Sequence, residues 1–95
     1  MASFRLAPNA RDDLERIWLY GLEHWGVDQA DHYIHELYAR FEELAKYPLH
    51  YPAVDDIREG YRRSVFGTNT IYFRVSNSDV EVMAIIGNQD LKTWL

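Results

Sequence analysis

Ninety-five residues confine the chain to one domain around one modest core, and an apolar share of 47%, fourteen aromatic rings included, is enough to offset the ordering entropy of folding. A net charge of −5 argues against an affinity built on phosphate neutralisation, and with no cysteine the chain has neither a disulfide nor a thiolate metal site. Met1 to Leu6 lacks the basic opening of a leader, and the longest aliphatic run, Val82 to Ile86, is far too short to cross a bilayer, so the expectation is a cytoplasmic protein without membrane contact.

Ser3, Phe4, Arg5 and Leu6 alternate polar and apolar, the period of a half-buried strand, before Ala7-Pro8-Asn9 breaks it. Apolar residues then recur at Leu14, Ile17, Trp18, Leu22 and Trp25, one stripe of an α-helix opened by Pro8 or Asn9 and closed by Gly26. Asp12, Asp13 and Glu15 fall near its positive end, where carboxylates interact favourably with unpaired amides. Asp28 is a suitable N-cap for a second helix, whose stripe runs through Ala30, Tyr33, Ile34, Leu37, Tyr38, Phe41 and Leu44 until Tyr47-Pro48 stops it. So short a turn folds the two helices into an antiparallel hairpin whose apolar stripes need a flat cover. That places Trp18, Trp25, Tyr33, Tyr38 and Phe41 in the core and leaves Tyr20, off the stripe, half exposed.

The cover comes from the second half. After a connector from Tyr47 to Glu59, three strand-like runs follow: Tyr61 to Phe66, Ile71 to Val75 and Val80 to Ile86. Gly67-Thr68-Asn69 and Ser76-Asn77-Ser78-Asp79 are the turn formers between them, which predicts an antiparallel three-stranded meander. Gly87 ends the last strand, and Leu91, Trp94 and Leu95 are spaced for a short helical tail or an apolar hook. The expected fold is α+β in the order β-α-α-β-β-β with a C-terminal helical tail. The N-terminal strand is expected beside the meander in an antiparallel sheet. Charge is split along the chain: residues 1–56 hold five basic and eleven acidic side chains, residues 57–95 five basic and four acidic, so only the second half suits an anionic partner.

Phe4-Arg5-Leu6 leading into Pro8, and then Ala10-Arg11-Asp12-Asp13-Leu14-Glu15-Arg16-Ile17-Trp18, resembles the opening of ParE toxins. Ile57-Arg58-Glu59-Gly60-Tyr61-Arg62-Arg63, followed by Ile71 to Val75 and Val80 to Ile86, resembles the family's pattern almost strand for strand. The likeness covers nearly the whole chain and rests on joint order and spacing, which identifies it as a member of the RelE/ParE superfamily, in the ParE branch. The resemblance implies the toxin of a type II toxin–antitoxin pair, which acts by binding DNA gyrase and not as an enzyme. It also implies a hetero-oligomer with a ParD-like antitoxin, whose DNA-binding part gives the toxin an indirect link to operator DNA. No cofactor is implied. Many relatives carry His or Arg near the position of Gly87-Asn88, so a basic role there has no counterpart in this chain.

The ribonuclease branch of the superfamily needs cations to hold developing charge and an acid or base to move protons. Here the only lysines are Lys46 and Lys92, and no His or Tyr follows Tyr72. Arg58, Arg62, Arg63 and Arg74 remain, good clamps for an oxyanion but poor proton shuttles. They are the candidate partner-binding residues, together with Trp94 and Leu95, against the plainer reading of surface arginines paired with Glu59, Asp79 or Glu81. The strand period puts Arg62 and Arg63 on opposite faces, with Arg74 one strand over. Trp94 either folds back onto the domain or is offered to a partner. His32, His35 and Glu36 share a helix face, yet a solvated face explains them better than a metal site, and no serine sits in a nucleophile turn. The alternatives to gyrase inhibition are a ribosome-dependent messenger endoribonuclease and a non-toxic module that only pairs with an antitoxin.

Overall fold

The computed structural model describes residues 3–87, so Trp94 and Leu95, and the expected helical tail that carries them, lie outside the described residues. The elements follow the expected order: β1 (Phe4–Leu6), α1 (Pro8–Trp25), α2 (Val27–Lys46), a 3-10 turn (Pro48–His50), β2 (Tyr61–Phe66), β3 (Asn69–Ser76) and β4 (Asp79–Gly87). Pro8 occupies the first turn of α1, where its missing N–H costs nothing and its fixed φ suits the helix. Gly26, at φ 94°, ends α1 and begins α2 without any intervening residue. Asp28 therefore does not cap α2; it lies inside the first turn, where its charge still favours the positive helix end. The acidic residues of α1 likewise miss the first turn, and Asp13 turns to the sheet instead.

The two helices meet closely where Gly21 faces Ala30: a Cβ on Gly21 would come 3.2 Å from that of Ala30. Both helices cover one face of a four-stranded sheet of order β1-β4-β3-β2. Pairs β2–β3 and β3–β4 are antiparallel, giving the expected meander. β1 runs parallel to β4, with Phe4 opposite Val80 and Leu6 opposite Val82, so the sheet is mixed and not antiparallel throughout. A parallel neighbour requires a crossover, and the helices with β2 and β3 supply it. The turns are tighter than the sequence suggests. Gly67-Thr68 and Asn77-Ser78 suffice, because Gly67 and Asn77, each at φ 58°, provide the left-handed conformation such turns need, and Asn69, Ser76 and Asp79 join the strands.

The main core lies between helices and sheet. Leu37, Phe41 and Leu44 of α2 and Ala10, Leu14 and Ile17 of α1 pack on Ile71, Phe73, Val80, Val82 and Ile85. A bulge in β4 makes this possible. Tyr72 pairs with Ala84 and Phe73 with Val82, leaving Met83 as an extra residue, so both Val82 and Ile85 face the helices despite their odd separation. Ala84 and Ile86 face the other way, where they meet Tyr72 and Val54, with Ile57 and Tyr61 alongside.

The apolar stripe of α1 outruns the sheet, leaving Trp25 53% exposed, and Tyr38 of α2, beside Phe4, is 39% exposed, against the expectation that both are core. Trp18 is half-buried and donates its indole N–H to Asp31 across the helices at 2.8 Å. Tyr20 stacks on His24 at the exposed end, as its off-stripe position suggests.

Candidate functional site

The face of the sheet away from the helices carries the arginines of interest in two rows set by strand register. Tyr61 of β2 lies opposite Arg74 of β3, which lies opposite Glu81 of β4; Arg63 lies opposite Tyr72, which lies opposite Ala84. Residues opposite each other share a face, so Arg63 and Arg74 belong to one surface. Arg62 belongs to the other. It pairs with Phe73, and its Nη1 donates to the Tyr51 carbonyl at 2.7 Å, pinning the connector to β2. Arg58 is exposed on the connector, in the turn closed by the Tyr61 N–H donating to the Arg58 carbonyl at 3.1 Å. The open face therefore holds Arg63 and Arg74, with Arg58 nearby in the chain and Arg62 on the reverse side.

Their charges are not equally available. Arg74 donates from Nε and Nη2 to Glu81 at 3.0 and 2.8 Å. Arg5 approaches the same carboxylate at 3.7 Å and Asp79 at 3.6 Å. Exposed pairs of this kind contribute roughly 0–1 kcal/mol each, so they orient Arg74 more than they stabilise the fold. Arg63 projects from the next row into solvent. Beneath it Tyr72 is buried, and burial pushes its phenol up from the usual 10.0, with the Arg63 charge opposing part of that rise. Such a phenol stays protonated at neutral pH, so it can donate a hydrogen bond but is no general base. Tyr51, on the helix side, is also raised, by burial first and then by its hydrogen bond to Glu43 and that carboxylate's charge, against a lowering by Arg40.

Arg40 escaped sequence reasoning. From α2 it donates to Ser64 Oγ at 2.7 Å and to the Val65 carbonyl at 3.1 Å, and it lies over the Phe66 ring. It therefore satisfies the buried Ser64 and covers part of the outer edge of β2. The only local signal was an arginine three residues before Glu43. The connector closes more of that edge, since the Val54 N–H donates to the Tyr61 carbonyl at 2.8 Å and the Arg63 N–H to the Pro52 carbonyl at 3.1 Å.

A second surface has no chemistry of its own but considerable apolar area. Leu19, Tyr20, Leu22, Trp25 and Val27 crowd the turn between the helices, all more than a third exposed. Two shallow hollows occur elsewhere. One of about 290 Å³ is lined by Ser3, Phe4, Glu42, Ala45 and Lys46; one of about 170 Å³ is lined by Glu36, Ala39, Arg40, Glu43 and Phe66. Ser3 in the first donates its hydroxyl hydrogen to Asp79 at 2.7 Å, and among the described residues no histidine lines either hollow. His32 faces Glu36 at 3.7 Å on an exposed helix surface, and among the described residues no three His, Asp or Glu side chains converge for a metal. No helix of the described residues is long and apolar enough to cross a membrane.

Comparison with known proteins gives a consistent family. The model for the ParE toxin of type II toxin-antitoxin system, parDE, matches residues 4–91. The chain is similar to Toxin ParE1 of Caulobacter vibrioides, 36% identical over 86 residues that cover 90% of this chain and 88% of that one. It is equally similar to Toxin ParE1 of Mycobacterium tuberculosis, 36% identical over 84 residues, covering 87% and 86%. In structure it resembles a chain of the chromosomal ParDE system from P. aeruginosa with a TM-score of 0.80 at 17% identity, covering 92% of this chain and 96% of that one. The toxin–antitoxin complex RelBE2 from Mycobacterium tuberculosis is more distant, with a TM-score of 0.56 at 19% identity over 92% of this chain and 98% of that one.

Proposed function

The chain belongs to the ParE toxin family of type II toxin–antitoxin systems, and from that premise we propose that it inhibits DNA gyrase by binding it in the cytoplasm and is neutralised by a ParD-like antitoxin. The observation that carries the binding mechanism is the make-up of the open sheet face. Its exposed cations are arginines, always charged, and its central phenol at Tyr72 is buried and held protonated. Such a face suits recognition of an anionic surface and supplies no proton shuttle. Arg63 and Arg74 are the target-binding residues in this reading, with Arg58 at the margin and Trp94 and Leu95 added from the tail. Arg62 supports them from behind through the Tyr51 carbonyl.

The antitoxin has a different place to bind. Its apolar segment would cover the exposed cluster at the helical turn and the edge beside Val65, which is 57% exposed. Operator DNA is reached only through the antitoxin.

A gyrase supercoiling assay with the purified chain, run with and without a ParD-like antitoxin and scored for supercoiled and cleaved DNA, tests the reading. Inhibition that the antitoxin reverses, and that Arg63→Ala weakens, is the expected outcome. Unimpaired supercoiling with an active gyrase, alongside cleaved messenger RNA in arrested cells, would replace this reading with the ribonuclease one. Expression without growth arrest would leave a non-toxic antitoxin-binding module.

A further inference from the structure

β4 is nine residues long, yet among the described residues its two sides are not equally paired. Along one side β3 matches it from Asp79 to Gly87. Along the other, β1 reaches only Val80, Glu81 and Val82, extended by hydrogen bonds from the Val80 N–H to the Ser3 carbonyl and from the Ala7 N–H to the Val82 carbonyl. Past Val82 the strand continues as Met83-Ala84-Ile85-Ile86, an uncharged, apolar run on a sheet edge. Exposed main chain of that composition is a template for another strand.

Helix α1 answers those main-chain groups with side chains. Asn9 Nδ2 lies 3.5 Å from the Met83 carbonyl, Asp13 Oδ2 accepts the Ile85 N–H at 2.9 Å, and Arg16 Nη2 donates to the Ile85 carbonyl at 3.2 Å. The three lie at positions i, i+4 and i+7, one line along the helix surface. They also brace one another: Asn9 donates to Asp13 at 3.3 Å, and Arg16 donates to it at 3.4 Å. Read along the strand, the order is donor, acceptor, donor, which is what a neighbouring strand would present to a carbonyl, an N–H and a carbonyl.

We propose that Asn9, Asp13 and Arg16 act together as a surrogate strand that keeps the Met83–Ile85 edge of β4 closed to strand addition by a second copy of this chain. The device does not depend on what the protein inhibits. It explains why the helix carries three polar residues on a line directed at an apolar strand, when local rules assign Asp13 to the helix end. It also confines strand addition by a partner to the remaining sheet edges.

The test compares the refolded full chain with Asp13→Ala, with the double variant Asp13→Ala, Arg16→Ala, and with Glu15→Ala as a control on an exposed position off that line. Hydrogen exchange of the Ile85 amide is expected to be about tenfold faster or more in Asp13→Ala and unchanged in Glu15→Ala. Light scattering over a concentration series is expected to show the double variant forming dimers or larger species beyond any formed by the parent, with new exchange protection at residues 83–87 in those species. Two results overturn the proposal: an Ile85 amide in the parent that exchanges as fast as an unpaired one, or a folded double variant of the same mass as the parent throughout the series. If the double variant does not fold, Asn9→Ala, Arg16→Ala removes two contacts from exposed side chains and leaves Asp13 in place. Mass identical to the parent in that variant likewise rejects the surrogate strand.

Discussion

The root and the tip of the helical hairpin carry the same recurring apolar pattern, but only the root is covered. At the root, Ala10, Leu14, Ile17, Leu37, Phe41 and Leu44 are buried against β3 and β4. At the tip, Leu22 and Trp25 of the α1 stripe stand in solvent, with Leu19, Tyr20 and Val27 exposed around them. Periodicity identifies which side of a helix is apolar; it does not say whether another element lies beneath it. In the root the pattern serves stability. In the tip it has no intramolecular duty that would account for so much exposed apolar area, which is why we propose that the antitoxin binds there.

Substitutions can break this contrast in order of effect. Phe41→Ala empties the centre of the root and is expected to destabilise the domain by about 3–5 kcal/mol, read from urea unfolding. A loss below about 1 kcal/mol would mean that the root is not the core described here. Gly21→Leu acts at the seam between root and tip. A Cβ there already stands 3.2 Å from that of Ala30, so the larger side chain pushes the helices apart at a cost of about 1–3 kcal/mol. Unchanged stability would show the helices free to separate at that point.

Alkaline pH probes both faces of the sheet through two raised phenols, Tyr51 on the helix side and Tyr72 on the other. The folded state holds the Tyr51 and Tyr72 protons to higher pH than the unfolded chain, whose phenols titrate near 10.0. Between that value and the higher folded ones the unfolded chain binds fewer protons, so stability falls as pH rises and is unaffected by these groups below that range. Urea midpoints that do not decline between about pH 9 and about pH 11 would contradict the burial of both rings. The smallest stability effect is expected at the tip. Trp25→Ala should stay within about 0.5 kcal/mol of the parent while weakening antitoxin binding about tenfold or more in calorimetry. Undiminished affinity would remove the antitoxin from the tip.

How much of this was legible in the sequence differs by the range of the interaction. The helices, the three later strands and the opposed faces of Arg62 and Arg63 follow from periods of 3.6 and 2, which are local. The direction of β1 is not local. Three residues alternate identically whichever way they run, and only the packed crossover decides that they lie parallel to β4. The turns are one or two residues shorter than their composition predicts because polar residues such as Asn69 and Ser76 satisfy strand pairing as well as turn geometry. Asp13 and Arg40 were missed for a related reason, since their partners lie 72 and 24 or more residues away. Of the candidate residues, Arg63 and Arg74 came to a shared face because hairpin register fixes it, while Arg62 was drawn into holding the connector.

The bulge at Met83 behaves as a phase shift in a repeating signal. Upstream of it, even-numbered positions of β4 such as Val80 and Val82 turn to the helices; downstream, Ile85 does so and Ala84 and Ile86 turn away. One chain segment thereby supplies both cores with the right side chains. The consequence concerns length more than identity. Inserting a further residue between Val82 and Ile85 would exchange the faces of everything after it, sending Ile85 to the arginine side and Ile86 into the helical core, whereas deleting one would remove the bulge and leave both on the faces they now have. Substitutions at Met83 leave the phase intact, so this stretch should vary in composition far more freely than it gains residues, whereas Asn77-Ser78, which closes a hairpin outside the shift, carries no such constraint on the strand beyond it.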